Sequence, residues 1–195
     1  MAAPLLQAAA LRTRATAGPW IRYAARLADV LLFTLILDRT PFWNSWASQW
    51  IGSSVGSQLL AGVLSGILWL PFEAVGLAWQ SMTPGKWLYG LRVRRSDGSP
   101  LATALAIRRT LWVFVTGLAF GVRPAAVILL FLNYRRIERR LPAYWDQRCA
   151  TLVERTDPTI ARWIFGLLVT AILGWLLAET RSHPAPAGPT LIAGY

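Results

Sequence analysis

The sequence holds one cysteine, Cys149, and one histidine, His183, among 195 residues. A lone cysteine cannot close an intrachain disulfide. One thiol and one imidazole also leave no zinc or haem ligand set, so no metal and no cofactor is expected. His183 stands in a Pro/Ala-rich stretch and reads as a surface residue. No nucleophile–base pair is present, because the only imidazole is in that tail and the only thiol is in a predicted strand. A hydrolase or redox enzyme is therefore not expected, and the chain reads as a non-enzyme. Acids are scarce as well, nine against twenty Lys and Arg, for a net charge of +11. The bases sit beside long apolar runs, so topology and contact with anionic lipid headgroups account for them, and nucleic acid is not an expected partner. Before Asp29 there are Arg12 and Arg14, no acid, and no long apolar core leading to a cleavage site. No signal peptide is read there, and residues 1–19 are expected to form a basic cytoplasmic leader.

Hydrophobic residues make up 55% of the chain and the mean hydropathy is +0.42, too apolar for an ordinary soluble domain of this size. About 20 residues of helix cross the hydrocarbon core, and three runs qualify: Trp20–Leu37, Leu59–Trp79 and Ile160–Ala178. A fourth, Leu111–Leu132 within the segment 107–132, is broken at Arg123-Pro124, where a helix kinks or two short helices meet. The eleven tryptophans suit interfacial anchoring. The expected fold is an all-α membrane bundle: three full transmembrane helices, a broken or re-entrant segment, and a short cytoplasmic two-stranded element.

The first run carries Asp29 near its middle, preceded by Arg22 and Arg26 on the same helical face. A charge at bilayer depth costs roughly 2.5–3.5 kcal/mol on insertion scales, so it is normally paired, solvated or protonated. Asp29 is expected to pair with Arg26 or with a base from elsewhere. Glu73, one turn after Trp69, is a second acid within a span, facing Asp29 across a polar cleft or lying near the cytoplasmic interface. The loop from Asp38 to Gln58 has Arg39 as its only base and is predicted external. Within it Trp43, Trp46 and Trp50 share one helical face, and Gly52, Ser53, Ser54 and Gly56 mark a turn.

Beyond the second run, Lys86, Arg92, Arg94 and Arg95 make a basic loop, so residues 80–106 are predicted cytoplasmic. Strands are predicted over Leu88–Arg94 and Cys149–Arg155, with an Asp97-Gly98 turn after the first. If they pair, the chain between them crosses the membrane an even number of times or not at all. Arg108 and Arg109 before the broken segment, and Arg135, Arg136, Arg139 and Arg140 after it, agree with two cytoplasmic flanks, the second being 133–156. Residues 157–180 are then an extra C-terminal transmembrane helix, and 181–195 an external disordered Pro-rich tail.

Read in order, these segments resemble the RDD family of small integral membrane proteins, named for an arginine and two aspartates. Arg22-x-x-Ala25-x-x-x-Asp29 matches the first-helix motif. Trp79-Gln80 and Thr83-Pro84-Gly85-Lys86 followed by GLRV match the signature after the second helix. Asp97-Gly98 with Pro100-Leu101 matches a turn motif, and Arg109 matches the arginine opening the next helix. Asp146 with Thr151-x-Val153 matches the late motif and supplies the second aspartate. The resemblance spans about Trp20 to Glu154. A histidine often precedes the late aspartate, but Trp145 stands here. The resemblance implies movement of ions or small solutes, with cation/proton exchange proposed for some relatives.

Two functions follow. In transport, Asp29 alternates between a proton and a cation, with Glu73 as a second acceptor, although the Arg22/Arg26/Arg109 surface suits an anion better. In the alternative, the protein is a non-catalytic accessory or assembly subunit of a larger membrane complex, or a homo-oligomer, and Arg22, Asp29 and Asp146 are structural. Thr83-Pro84-Gly85-Lys86 lacks the earlier glycine and following Ser/Thr of a phosphate loop; a helix stop with a snorkelling lysine is the simpler reading. Asp146 is expected to pair within the Arg135–Arg140 cluster. The bacterial-type inner membrane, with a cytoplasmic N-terminus, is the expected location.

Overall fold

Pro19 opens helix α1 (Pro19–Asp38), where its missing N–H costs no hydrogen bond. The computed structural model describes residues 17–41, 43, 54–156 and 159–182. The predicted leader before Ala17, Trp46, Trp50, Gly52, Ser53 and His183 lie outside the described residues. The buried face of α1 is Ile21, Ala25, Ala28 and Asp29, a helical stripe whose small alanines let a neighbouring backbone approach closely.

Helix α2 (Val55–Gln80) begins four residues earlier than the hydropathy predicts, because the Ser54 hydroxyl caps it by accepting from Ser57 N–H at 3.2 Å. It ends where Ser81 takes a left-handed φ of 58°. Thr83 then caps a short helix, α3 (Pro84–Leu88), which packs on α1. Strand β1 (Leu91–Arg95) follows, then α4 (Thr103–Thr116), a 3-10 turn (Ala119–Gly121), α5 (Arg123–Glu138), α6 (Tyr144–Cys149), β2 (Thr151–Arg155) and α7 (Ile160–Ser182).

The strands pair antiparallel, Leu91 against Arg155 and Val93 against Val153. Leu91, Val93, Thr151 and Val153 are buried, the alternation of a sheet with one covered face. The predicted strands begin too early: Leu88 belongs to α3, and Cys149 ends α6. Asp97-Gly98 does form a turn, with Gly98 at φ 87° and Ser99 N–H donating to Asp97 Oδ1 at 2.8 Å. The Ser99 hydroxyl, and after it that backbone bond, hold the exposed Asp97 carboxyl below the usual carboxylate range.

The fourth apolar run is broken, but the break lies at 117–122 rather than at Arg123-Pro124. Pro124 falls in the first turn of α5, where proline is tolerated, and the chain bends instead at Ala119 and Phe120, with φ 47° and 59°. At 14 and 16 residues, α4 and α5 are about 21 and 24 Å long, each short of the roughly 30 Å core.

Among the described residues two helices, not three, are both long and apolar enough to cross a membrane: α2, and α7 over Ile160–Thr180. Only 11% of the apolar window of each is buried inside the protein, which leaves their sides for lipid. Helix α1 has the length but carries Arg22, Arg26, Asp29 and Asp38. Helix α7 runs through Ser182, two residues into the predicted tail, and packs along α1. Gly166 on it touches Tyr89 so closely that a Cβ would meet the ring at 2.7 Å, and Tyr89 Oη bonds to Thr170 Oγ1 at 2.9 Å. Trp79 and Trp175 are largely exposed as expected, but Trp69 is buried between Phe33 and Phe72.

Candidate functional site

The face of α1 that bears Arg22, Arg26 and Asp29 reaches three separate partners. Asp29, fully buried, accepts from Thr83 Oγ1 at 2.5 Å and from Gly85 N–H at 2.6 Å. It makes no ion pair within 4 Å among the described residues, contrary to the expected pairing with Arg26 or with a base from elsewhere. The reason is Arg26's stronger alternative: its guanidinium forks onto Glu73 of α2, at 2.7 and 2.8 Å, the bidentate geometry arginine favours. Asp29 instead uses N–H and O–H groups left free where α3 begins. The fit is tight, since a Cβ on Gly85 would collide with the Ala25 carbonyl and meet the Asp29 carboxyl carbon at 2.8 Å.

Glu73 is the hub. Besides Arg26 it accepts from Trp69 Nε1 at 3.0 Å and from Lys86 Nζ at 3.3 Å, and Arg109 Nη1 lies 3.9 Å away. Lys86 therefore does not snorkel. It is buried, with its ammonium shared between Glu73 and Thr83 Oγ1 at 3.2 Å, which links Glu73 to Asp29 through two side chains. Burial pushes the Lys86 ammonium below its ordinary pKa, against the pull of Glu73.

Asp146, near the start of α6, turns away from the Arg135–Arg140 cluster. It accepts from Arg22 Nη1 at 3.0 Å, from Arg109 Nε and Nη2 at 3.1 and 2.8 Å, and from Thr151 Oγ1 at 2.9 Å. Arg136 of that cluster bonds to Gln147 at 2.7 Å instead. Arg109 thus spans both halves of the network, between Asp146 and Glu73. Its Nη1 is buried and without a hydrogen-bond partner among the described residues.

The six charged positions singled out from sequence come together, joined by Lys86, Thr83, Gly85 and Thr151. Trp79, 84% exposed, and Gln80 stay outside the network; Pro84 opens α3 beside it, and Asp97 and Gly98 form the exposed turn after β1, apart from it. Sequence reasoning missed Asn133, fully buried on α5. Its amide donates to Thr116 O at 3.1 Å and accepts from Tyr144 N–H at 3.0 Å, bracing the end of α4 and the start of α6. The signal was a lone amide after the apolar run Val127–Leu132.

A cavity of about 50 Å³ abuts the network, lined by Arg22, Arg26, Lys86 and Arg109, with Tyr23, Val113 and Trp145 on its other sides. Beyond it, Cys149 is buried, and burial pushes its thiol up against the pull of Arg109 and Arg108. Alkylation by iodoacetamide depends on the thiolate. In the folded protein at neutral pH it is expected to run at least about tenfold slower than in denaturant, with its pH profile displaced to the alkaline side. Equal rates in the two states, followed by mass spectrometry, would contradict the burial.

No curated protein and no solved structure matches the sequence. The RDD family model matches residues 16–176, past Glu154 and through most of α7, so the helix expected to lie outside the shared core falls largely within the matched region. The match takes in every member of the buried network, and the chain belongs to the RDD family, a membrane-associated family.

Proposed function

We propose that this protein moves a small charged solute across a membrane through the polar cluster joining α1, α2, α3, α4 and α6, without enzymatic chemistry. In this reading α1 is a third span whose charges face the protein interior. The basic end bearing the β-sheet and the start of α1 is then cytoplasmic, as the concentration of Arg and Lys there favours, in a bacterial-type inner membrane. One observation carries the reading: four cations, Arg22, Arg26, Lys86 and Arg109, meet three carboxylates in one buried network, and the cations line a cavity. A lock that served packing alone would gain from balanced charge and filled space. All three carboxylates are held by two or more donors, so Asp29 and Glu73 are poorly placed to exchange ligands, and the cationic side is the better solute contact.

The test is flux. Purified protein in sealed liposomes is expected to pass solute under an imposed gradient of sodium, potassium, protons or phosphate, each tried separately. Arg109→Lys is expected to lower the rate at least about tenfold, the loss typical of a misplaced positioning group. The same rate in a well-folded Arg109→Lys protein would remove the cluster from the pathway.

A second reading is an accessory subunit that packs against a larger membrane complex or a second copy. Ile160, Phe165 and Trp175 on α7 are all more than half exposed and would offer such a partner an apolar face. Absence of flux under every gradient, with a partner retained on purification in mild detergent, would favour this reading over transport.

A further inference from the structure

We propose that the cavity lined by Arg22, Arg26, Lys86 and Arg109 is a binding site for a phosphate group, either free or borne on a lipid headgroup. The site is the one invoked above for transport, and the proposal names the class of group it takes. Binding itself requires no translocation.

Charge is the first argument. The lining contributes four cations and no carboxylate. Glu73 and Asp146 lie behind the cations, each already accepting several hydrogen bonds. Asp29 is taken by Thr83 and Gly85. Even counting all three acids, positive charge is in excess. Uncompensated charge in an apolar surrounding is costly, and Leu91, Val113 and Leu130 complete much of the wall.

The second argument is Arg109. It is 2% exposed and lines the cavity, and its Nη1 lacks a hydrogen-bond partner among the described residues. The other nitrogens of the same guanidinium are committed to Asp146 and Thr151. Its Nη1 has Glu73 at 3.9 Å, an ion pair too long for a hydrogen bond, and a buried, charged donor that makes no hydrogen bond is the group that recognises an oxyanion.

Size and access agree. At about 50 Å³ the space takes roughly four water-sized groups, the scale of a tetrahedral oxyanion. Water alone would satisfy Nη1 but would not offset the excess charge. Arg22 and Arg26 each keep 16% of the side chain exposed, so both are in reach of a headgroup whose acyl chains stay outside.

The test is equilibrium binding by the full chain in neutral detergent after lipid removal. Replacing chloride by inorganic phosphate at constant ionic strength is expected to raise the unfolding temperature saturably. Val113→Phe and Ile137→Phe, on different helices, fill the cavity without touching an ion pair. Each is expected to fold and to lose at least about tenfold in phosphate affinity. To separate the sources, native mass spectrometry follows transfer from nanodiscs of phosphatidylglycerol or phosphatidylcholine. A phospholipid retained by the wild type but not by the filled variants, with the phosphate response suppressed, assigns the site to a headgroup. A phosphate response unchanged by either lipid assigns it to the free ion. The proposal falls if wild type neither responds to phosphate nor retains phospholipid, or if both folded, filled variants respond as wild type does. Binding without flux overturns transport and leaves the site standing; flux without binding does the reverse.

Discussion

Glu73→Gln is expected to cost about 3–5 kcal/mol, the penalty for breaking a buried ion pair from one side. The substitution keeps the shape and one acceptor oxygen. It removes the charge that Arg26, Lys86 and Arg109 surround, and the new amide turns an N–H₂ toward groups that are themselves donors. Three cations then share a buried site whose nearest remaining acids are occupied elsewhere. The measurement is the unfolding midpoint in detergent, with recovery of monodisperse protein as a second readout. Arg95→Gln is the control, because its pair with Asp97 at 3.5 Å is half exposed, and such solvent-screened pairs contribute little to stability. A double variant, Arg26→Met with Glu73→Leu, is expected to recover part of the loss, since replacing both members of a buried pair leaves no orphaned charge between them. Equal losses for Glu73→Gln and Arg95→Gln would mean that the hub does not hold the bundle.

The same hub marks how far the sequence could be read. Acids and arginines inside apolar runs are conspicuous because the hydropathy around them is high, and that contrast selected Arg22, Arg26, Asp29 and Glu73. Arg109 and Asp146 came from the family motif. Alternation of apolar and basic residues, ending at Asp97-Gly98, located the first strand within a few positions. Partners were not legible. Arg22 meets Asp146 across 124 residues of chain, and nothing local at either position reports the other. Lys86 follows a helix stop, the usual place for a lysine reaching toward headgroups, and only the fold of α3 back onto α1 turns it inward. The break in the fourth run was placed at the proline because proline is the loudest helix breaker in sequence. Its first-turn position made it harmless, and the chain bent at Ala119 and Phe120, between Gly117 and Gly121, whose quieter signal the proline outweighed. Asn133 escaped because a neutral amide hardly disturbs a hydropathy pattern, although burying it requires partners as a charge does.

Gly85→Ala is expected to be more damaging than Asp29→Asn, an order opposite to the one that charge alone suggests. The added methyl must displace either the Ala25 carbonyl, fixed within α1, or the Asp29 carboxyl. Overpacking of this kind costs about 1–3 kcal/mol. Moving α3 outward would also break the Gly85 and Thr83 bonds to Asp29 and strand a buried carboxylate, about 1–3 kcal/mol more. Asp29→Asn keeps an acceptor for Gly85 N–H at the same place. It loses the hydrogen bond from Thr83, because its amide must donate to a hydroxyl already accepting from the Lys86 backbone and ammonium. That costs about 1.5–3 kcal/mol at most, the value of one bond to a charged group. Unfolding midpoints of the two variants, measured side by side, give the order. If Asp29→Asn loses more, the negative charge itself is what Arg26 and Lys86 require, and the seating of α3 is electrostatic. If Gly85→Ala loses more, a glycine-sized gap between two backbones sets how deeply the loop after α2 enters beside α1, and the depth of the whole buried network follows from it.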